Sequence, residues 1–221
     1  MIEENVKALL SRLEKGNCFG EKVTLVAATK TRTVEEINRA INAGITDIGE
    51  NRVQEFKDKF DGVIGGNRHF IGHLQTNKVK YLIGKTDLYH SVDRDELVEE
   101  LSKRSKKAGI VSNVLIQVNI GNEESKGGYP LDDAFSVFLR LRETEGLRVR
   151  GFMAMLPAQG TEETLSALCK KMRALYERAK EEDPSIDYLS MGMSGDWELC
   201  LKNGANMIRL GTAIFGERNY S

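Results

Sequence analysis

Proline is scarce in this chain, with three residues in 221: Pro130, Pro157 and Pro184. That excludes a Pro-rich linker or an extended polyproline segment, and all three fall where loops or helix starts are expected. Cysteine is equally scarce. Cys18, Cys169 and Cys200 are far apart and odd in number, which supports neither a disulfide framework nor a metal-binding cluster and points to a reducing, cytoplasmic setting. No apolar run is long enough to cross a bilayer. The N-terminus, MIEENVKALLSRLEKG, is charged and helix-periodic, unlike a signal peptide. An excess of one charge sign is also missing. The net charge is −1, so neither nucleic acid nor an anionic membrane surface is indicated as a partner. No low-complexity stretch or linker divides the chain, and residues 1–221 read as one domain.

What the chain does have is alternation. Apolar runs with strand composition fall at 23–29, 45–50, 68–73, 87–92, 113–120, 147–156, 187–192 and 207–211. Helical patterns fall between them at 33–43, 51–60, 76–83, 94–108, 131–144, 162–182 and 196–203. Thr33 followed by Glu36 is a capping-box signature, Gly44 stops that helix, and Gly109 and Gly204 stand where helix C-caps belong. A further helix, roughly 2–15, precedes the first strand. Strands alternating with helices imply a parallel sheet. Eight such units in this length predict an α/β fold, a (β/α)8 TIM barrel with an extra N-terminal helix. An open doubly wound sheet is the alternative.

In a barrel the C-terminal ends of the strands share one rim, where active sites gather. Lys30 ends the first strand, Glu50 and Asn51 the second, His73 the third and Asn119 the fifth. Ser194 and Gly195 follow the seventh strand; Gly211 and Thr212 follow the eighth. Closure sets strand 1 against strand 8, so Lys30 and the Gly-Thr turn become neighbours. A lysine amine beside two glycine-and-hydroxyl turns is what pyridoxal 5′-phosphate (PLP) requires: an amine for its aldehyde and backbone N–H groups for its phosphate. Each residue also has a plainer reading. A lysine ending a strand is usually a solvated rim residue. His73 serves equally as a partner for a loop carbonyl, and Met153 and Met155 read as barrel filling. Arg209 lies inside an apolar strand and faces either inward, where it needs a partner, or outward under a helix. A phosphate-binding barrel without PLP fits the same turns.

Six motifs, in order, carry a resemblance: ATKTR around Lys30, IGENRVQE at 48–55, HFIGHLQTNK at 69–78, ESKGG at 124–128, GFMAM at 151–155, and MGMSGD with IRLGTAIFG within 191–216. Together they resemble the pyridoxal phosphate homeostasis protein family, PLP-binding proteins related to the barrel domain of alanine racemases. The resemblance runs from about residue 20 to 217. It implies that Lys30 carries PLP as a Schiff base and that Ser194, Gly211 and Thr212 hold the phosphate. It also implies that Arg209 donates to the pyridine nitrogen, that Asn51 lies beside the ring, and that His73 and Met191 line the site. Cys200 and Leu201 depart from the family pattern in the helix after strand 7, which concerns packing. The implied role is intracellular PLP and vitamin B6 balance, with apo PLP-dependent enzymes as possible recipients and a monomer as the default state. A fold-type III racemase is the alternative. Racemases need a second base from a separate domain, and Tyr220 is the only late tyrosine, so binding without two-base turnover is the expectation.

Overall fold

The computed structural model describes residues 1–123 and 126–217. Two residues of the ESKGG motif and Tyr220 lie outside them.

Nine strands, all paired in parallel, form the sheet: β1 Thr24–Ala28, β2 Asp47–Glu50, β3 Asn67–Phe70, β4 Leu88–Val92, β5 Ser112–Asn119, β6 Tyr129–Pro130, β7 Leu147–Ala154, β8 Tyr188–Ser190 and β9 Met207–Leu210. The order β4-β3-β2-β1-β9-β8-β7-β5 closes on itself because β4 also pairs with β5, Tyr89 opposite Val114 and Val92 opposite Ile116. That pairing removes both edges and rules out the open sheet. The barrel therefore has eight strands, and β6 is a two-residue addition beside the end of β5. Pro130 is tolerated there because β6 is an edge. Strand 1 closes against the eighth barrel strand as expected, Thr24 opposite Met207 and Ala27 opposite Leu210.

The helices are α1 Ile2–Leu13, α2 Val34–Asn42, α3 Val53–Lys59, α4 Asp95–Ala108, α5 Ala134–Leu141, α6 Glu162–Glu182, α7 Trp197–Lys202 and α8 Thr212–Phe215. The capping box of α2 is formed: Glu36 N–H donates to Thr33 Oγ1 at 3.2 Å and Thr33 N–H to Glu36 Oε2 at 2.8 Å. Gly109 ends α4 in the left-handed conformation, φ 67°. One expected helix differs. Residues Thr76–Tyr81 form a 3₁₀ turn, because no side chain caps its start, its first turn holds no acid, and Gly84 at φ 75° bends the chain away.

Two apolar layers result. The larger lies between barrel and helices and includes Ile37, Phe56, Phe138, Phe152 and Tyr176. The smaller fills the lumen with Val26, Leu88, Leu115, Met153 and Met207. Gly151 is obligatory where β7 meets β8: at φ 144° an added Cβ would stand 1.8 Å from the Tyr188 carbonyl oxygen.

Candidate functional site

The rim at the C-terminal ends of the strands surrounds a cavity of about 150 Å³. Its lining includes Lys30, Asn51, Ser194, Arg209, Gly211 and Thr212. Six of the eight residues singled out in the sequence are thus brought together from β1, β2, β8 and β9. Among the described residues the lining carries three cations, Lys30, Arg32 and Arg209, and no carboxylate. An unbalanced positive cavity selects an anionic ligand.

Lys30 is held from both sides by a charged clamp. Before it, Thr29 Oγ1 donates to Glu50 Oε2 at 3.0 Å. After it, Thr31 sits at φ 65°, a left-handed conformation that a β-branched residue adopts only under constraint. The constraint is Glu55, whose Oε2 accepts the Thr31 N–H at 2.8 Å. Lys59 ties the two carboxylates together, at 2.8 Å from Glu50 Oε2 and 2.7 Å from Glu55 Oε2, and also donates to the Thr29 carbonyl at 2.9 Å. These bonds outweigh the cost of burial and hold the Glu55 carboxyl below its ordinary pKa. The strand-end turn is therefore rigid on either side of the lysine.

Arg209 points inward, which settles the direction the sequence leaves open. It is 5% exposed. Its Nη1 donates to Ser190 O at 3.0 Å and Ser190 Oγ at 2.5 Å, and its Nη2 to Ala154 O at 3.2 Å. All three acceptors are neutral. Burial pushes its pKa down to about 10, still well above neutrality. A buried cation without a carboxylate is costly unless a ligand or a relay completes it.

Beside Lys30, the loops after β8 and β9 supply neutral donors. Met193 N–H donates to Asp196 Oδ1 at 2.6 Å, which fixes the turn carrying Ser194 and Gly195. Ser194 and Thr212 are exposed at the cavity wall. Asn51 is pinned by the close passage of Gly72, where a Cβ would lie 2.0 Å from the Asn51 carbonyl oxygen. The Asn51 side-chain oxygen is buried with no hydrogen-bond partner among the described residues, an acceptor left for a ligand.

Two expected lining residues lie elsewhere. Met191 is fully buried and belongs to the layer between barrel and helices. Its neighbour Ser190 faces the lumen, so strand alternation turns Met191 outward. His73 borders an adjacent cleft with Asn51, Arg52, Lys57, Lys78 and Tyr81. There its Nδ1 lies 3.2 Å from Asp93 Oδ2. Conversely, Met153 and Met155 line the cavity although the sequence reads them as filling, and Met153 does both. Arg32, missed in the sequence, joins the lining; it donates to the Gly216 carbonyl at 2.5 Å and lies over the Phe215 ring. The ATKTR motif already contains it. The lysines of the neighbouring motifs are engaged: Lys126 pairs with Glu123 Oε2 at 2.5 Å and donates to Leu156 O at 3.0 Å; Lys78 lies over Tyr81.

Comparison with known proteins is consistent with this geometry. The alanine racemase N-terminal domain model matches residues 1–219. A pyridoxal phosphate homeostasis protein from Aquifex aeolicus is 40% identical over 99% of this chain and 96% of its own. One from Escherichia coli K12 is 39% identical over 91% and 88%. The solved structure of PipY from Synechococcus elongatus PCC7942 with PLP bound superposes with a TM-score of 0.83 at 29% identity, covering 98% of this chain and all of that one. An alanine racemase from Clostridium difficile 630 shares the fold, with a TM-score of 0.80 at 13% identity, over 59% of its length. The chain belongs to the alanine racemase N-terminal domain family and, within it, to the pyridoxal phosphate homeostasis proteins.

Proposed function

We propose that this protein holds PLP at the barrel mouth through Lys30 and takes part in PLP homeostasis by storing and releasing the cofactor. The observation that carries the reading is the cavity lining: three cations, no carboxylate, and a lysine at a strand end held in a rigid turn. PLP, when bound, brings an electrophilic aldehyde and a phosphate. Lys30 is the amine for the first. Ser194, Gly211 and Thr212 are the hydroxyl and backbone donors for the second, and Arg32 adds positive charge. Arg209 would meet the pyridine nitrogen as a donor that cannot accept. It would thereby keep that nitrogen unprotonated, weakening the ring as an electron sink and suiting carriage better than turnover. Asn51 Oδ1, orphaned in the protein, accepts from the ligand or its bound water. The protein acts in the cytoplasm as a monomer and passes PLP to apo-enzymes.

Borohydride reduction of the PLP-loaded protein, followed by peptide mass spectrometry, tests the assignment. The pyridoxyl mass is expected on the peptide containing Lys30. Its appearance on Lys78 or Lys126 instead would overturn the site. Rapid stereospecific hydrogen exchange at an amino acid's α-carbon would overturn the carrier role in favour of a racemase.

A further inference from the structure

Five buried polar side chains run through the lumen beneath the mouth, where apolar filling would serve packing alone. Asp47 opens β2 at the end remote from the rim. Its Oδ1 lies 3.0 Å from His69 Nε2. His69 Nδ1 lies 2.9 Å from His90 Nε2, and His90 Nδ1 lies 3.3 Å from Ser190 Oγ. That same Ser190 oxygen accepts from Arg209 Nη1 at 2.5 Å. The members come from β2, β3, β4, β8 and β9, so the chain of bonds crosses the barrel. All five are buried, His90 and Ser190 completely.

The chemistry of the two ends fixes where the protons sit. A guanidinium only donates. Ser190 Oγ therefore accepts from Arg209, and its own O–H is free to donate to a lone pair on His90 Nδ1. At the other end an ionised carboxylate only accepts. Asp47 is held ionised: bonds from His69, Thr46 and Asn67 outweigh its burial and keep its pKa below the ordinary carboxylate value. His69 therefore presents Nε2–H to Asp47 and, as a neutral ring, a lone pair on Nδ1 to His90. The remaining proton, on His90 Nε2, completes the contact between the rings. With both rings neutral, the two ends agree on one arrangement: each imidazole is protonated on Nε2, and every bond points from Arg209 toward Asp47. Burial, reinforced by the nearby Arg209 cation, drives the His90 pKa well below its ordinary value and keeps the ring neutral. Head-to-tail bonds of this kind polarise one another.

We infer that Asp47, His69, His90 and Ser190 are positioning residues: a one-directional hydrogen-bond relay that aims Arg209 at the cofactor cavity and supplies its buried cation with a counter-charge from across the barrel. Asp196, at the start of α7, is the carboxylate whose charge reaches Arg209 directly, and Asp47 adds a negative end to the hydrogen-bonded chain on the far side of the barrel. The role of Arg209 toward PLP rests on the reading proposed above, whereas the relay's proton order does not.

Nitrogen-15 NMR of labelled histidines in the PLP-free protein reads the tautomers directly. At neutral pH both His69 and His90 should be neutral with the proton on Nε2. An imidazolium at either ring, or a proton on Nδ1 of either, overturns the relay whether or not PLP binds. A pair of variants tests positioning. His90→Gln retains an acceptor for Ser190 and a donor for His69; His90→Phe retains bulk alone. In the PLP-loaded protein His90→Phe should shift the absorbance band of bound PLP and weaken its retention about tenfold, the scale of one hydrogen bond to a charged group. His90→Gln should restore both. Ser190→Ala, a smaller change, should reproduce the shift if His90→Phe fails to fold. Unaltered spectrum and retention in His90→Phe and Ser190→Ala would reduce these residues to lumen packing. Failure of the unmodified protein to bind PLP would remove the proposed function and leave the tautomer result standing.

Discussion

The mouth of the barrel and the lumen below it handle polar groups in opposite ways. In the lumen Asp47, His69, His90 and Ser190 each find a partner within the protein. At the mouth, among the described residues, three cations share a lining without a carboxylate, and the Asn51 side-chain oxygen has no partner. The lumen is finished by the protein; the mouth is left for a ligand to finish. The clamp around Lys30 lies at the boundary: its carboxylates and Lys59 are fully paired, yet what they hold is the unsatisfied part. Substitutions should therefore separate into those that remove binding and those that remove stability.

Lys30→Ala is the extreme case. It should abolish borohydride-trappable PLP entirely while changing unfolding free energy by no more than about 0.5 kcal/mol, because no core cavity forms. Melting curves and peptide mass spectrometry check both halves, and a large stability loss would blur the division. Lys59→Met should fall on the other side. It leaves the Glu50 side chain, 5% exposed, without its cation, at a cost of about 3–5 kcal/mol. Urea denaturation showing under 1 kcal/mol would mean the clamp is not energetically joined. Ser194→Ala and Thr212→Val return to the mouth. Each should weaken PLP retention by about 1.5–3 kcal/mol, the value of one bond to a charged phosphate, with unchanged melting. Equal retention of PLP and phosphate-free pyridoxal would contradict the phosphate assignment.

The lumen has its own signature in pH. His90 stays neutral in the folded state, while the unfolded chain binds a proton below about pH 6.5. Stability should therefore fall as the pH drops below that value, by up to about 1.4 kcal/mol per unit from this residue. His90→Gln should flatten that part of the curve, and an unchanged slope would mean that other groups govern it. The smallest effect is expected at Thr31. Thr31→Gly relieves a left-handed strain of roughly 1 kcal/mol, partly offset by the entropy of glycine. A net gain below about 1 kcal/mol in chemical denaturation is expected, with looser placement of Lys30 seen as faster loss of PLP.

Strand–helix alternation is legible in the sequence because parallel strands covered on both faces read as apolar runs between capped helices. Lys30, Asn51, Ser194, Arg209, Gly211 and Thr212 converge because closure follows from that count. The rest depends on facts that period and composition do not hold. A strand buried on both sides hides which face meets the lumen, so the direction of Arg209 stays open and Met191 is misplaced by one position of alternation. The same ambiguity conceals His69 and His90, which look like polar interruptions in RHFIGH and LYHSV until the register of β3 and β4 brings them within 2.9 Å. His73 ends its strand as expected, but the loop carries it to Asp93 and the adjacent cleft. The 3₁₀ turn at Thr76–Tyr81 follows from its uncapped start and Gly84, which periodicity alone does not register, and the short β6 forms only where the end of β5 lies beside it.

The pairing of β1 with β9 has a consequence for the order of folding. Thr24 meets Met207, and Asn5 donates to the Ile214 carbonyl at 3.0 Å, so the two walls of the cavity belong to segments separated by nearly the whole chain. Contacts so remote in sequence carry the largest loop-closure entropy. Lys30 and Thr212 thus become neighbours only when the ring shuts, and a partly folded chain has no complete place for a phosphorylated aldehyde. Ligand binding then acts on the closing step itself, stabilising the shut ring by mass action in proportion to how much free PLP is present.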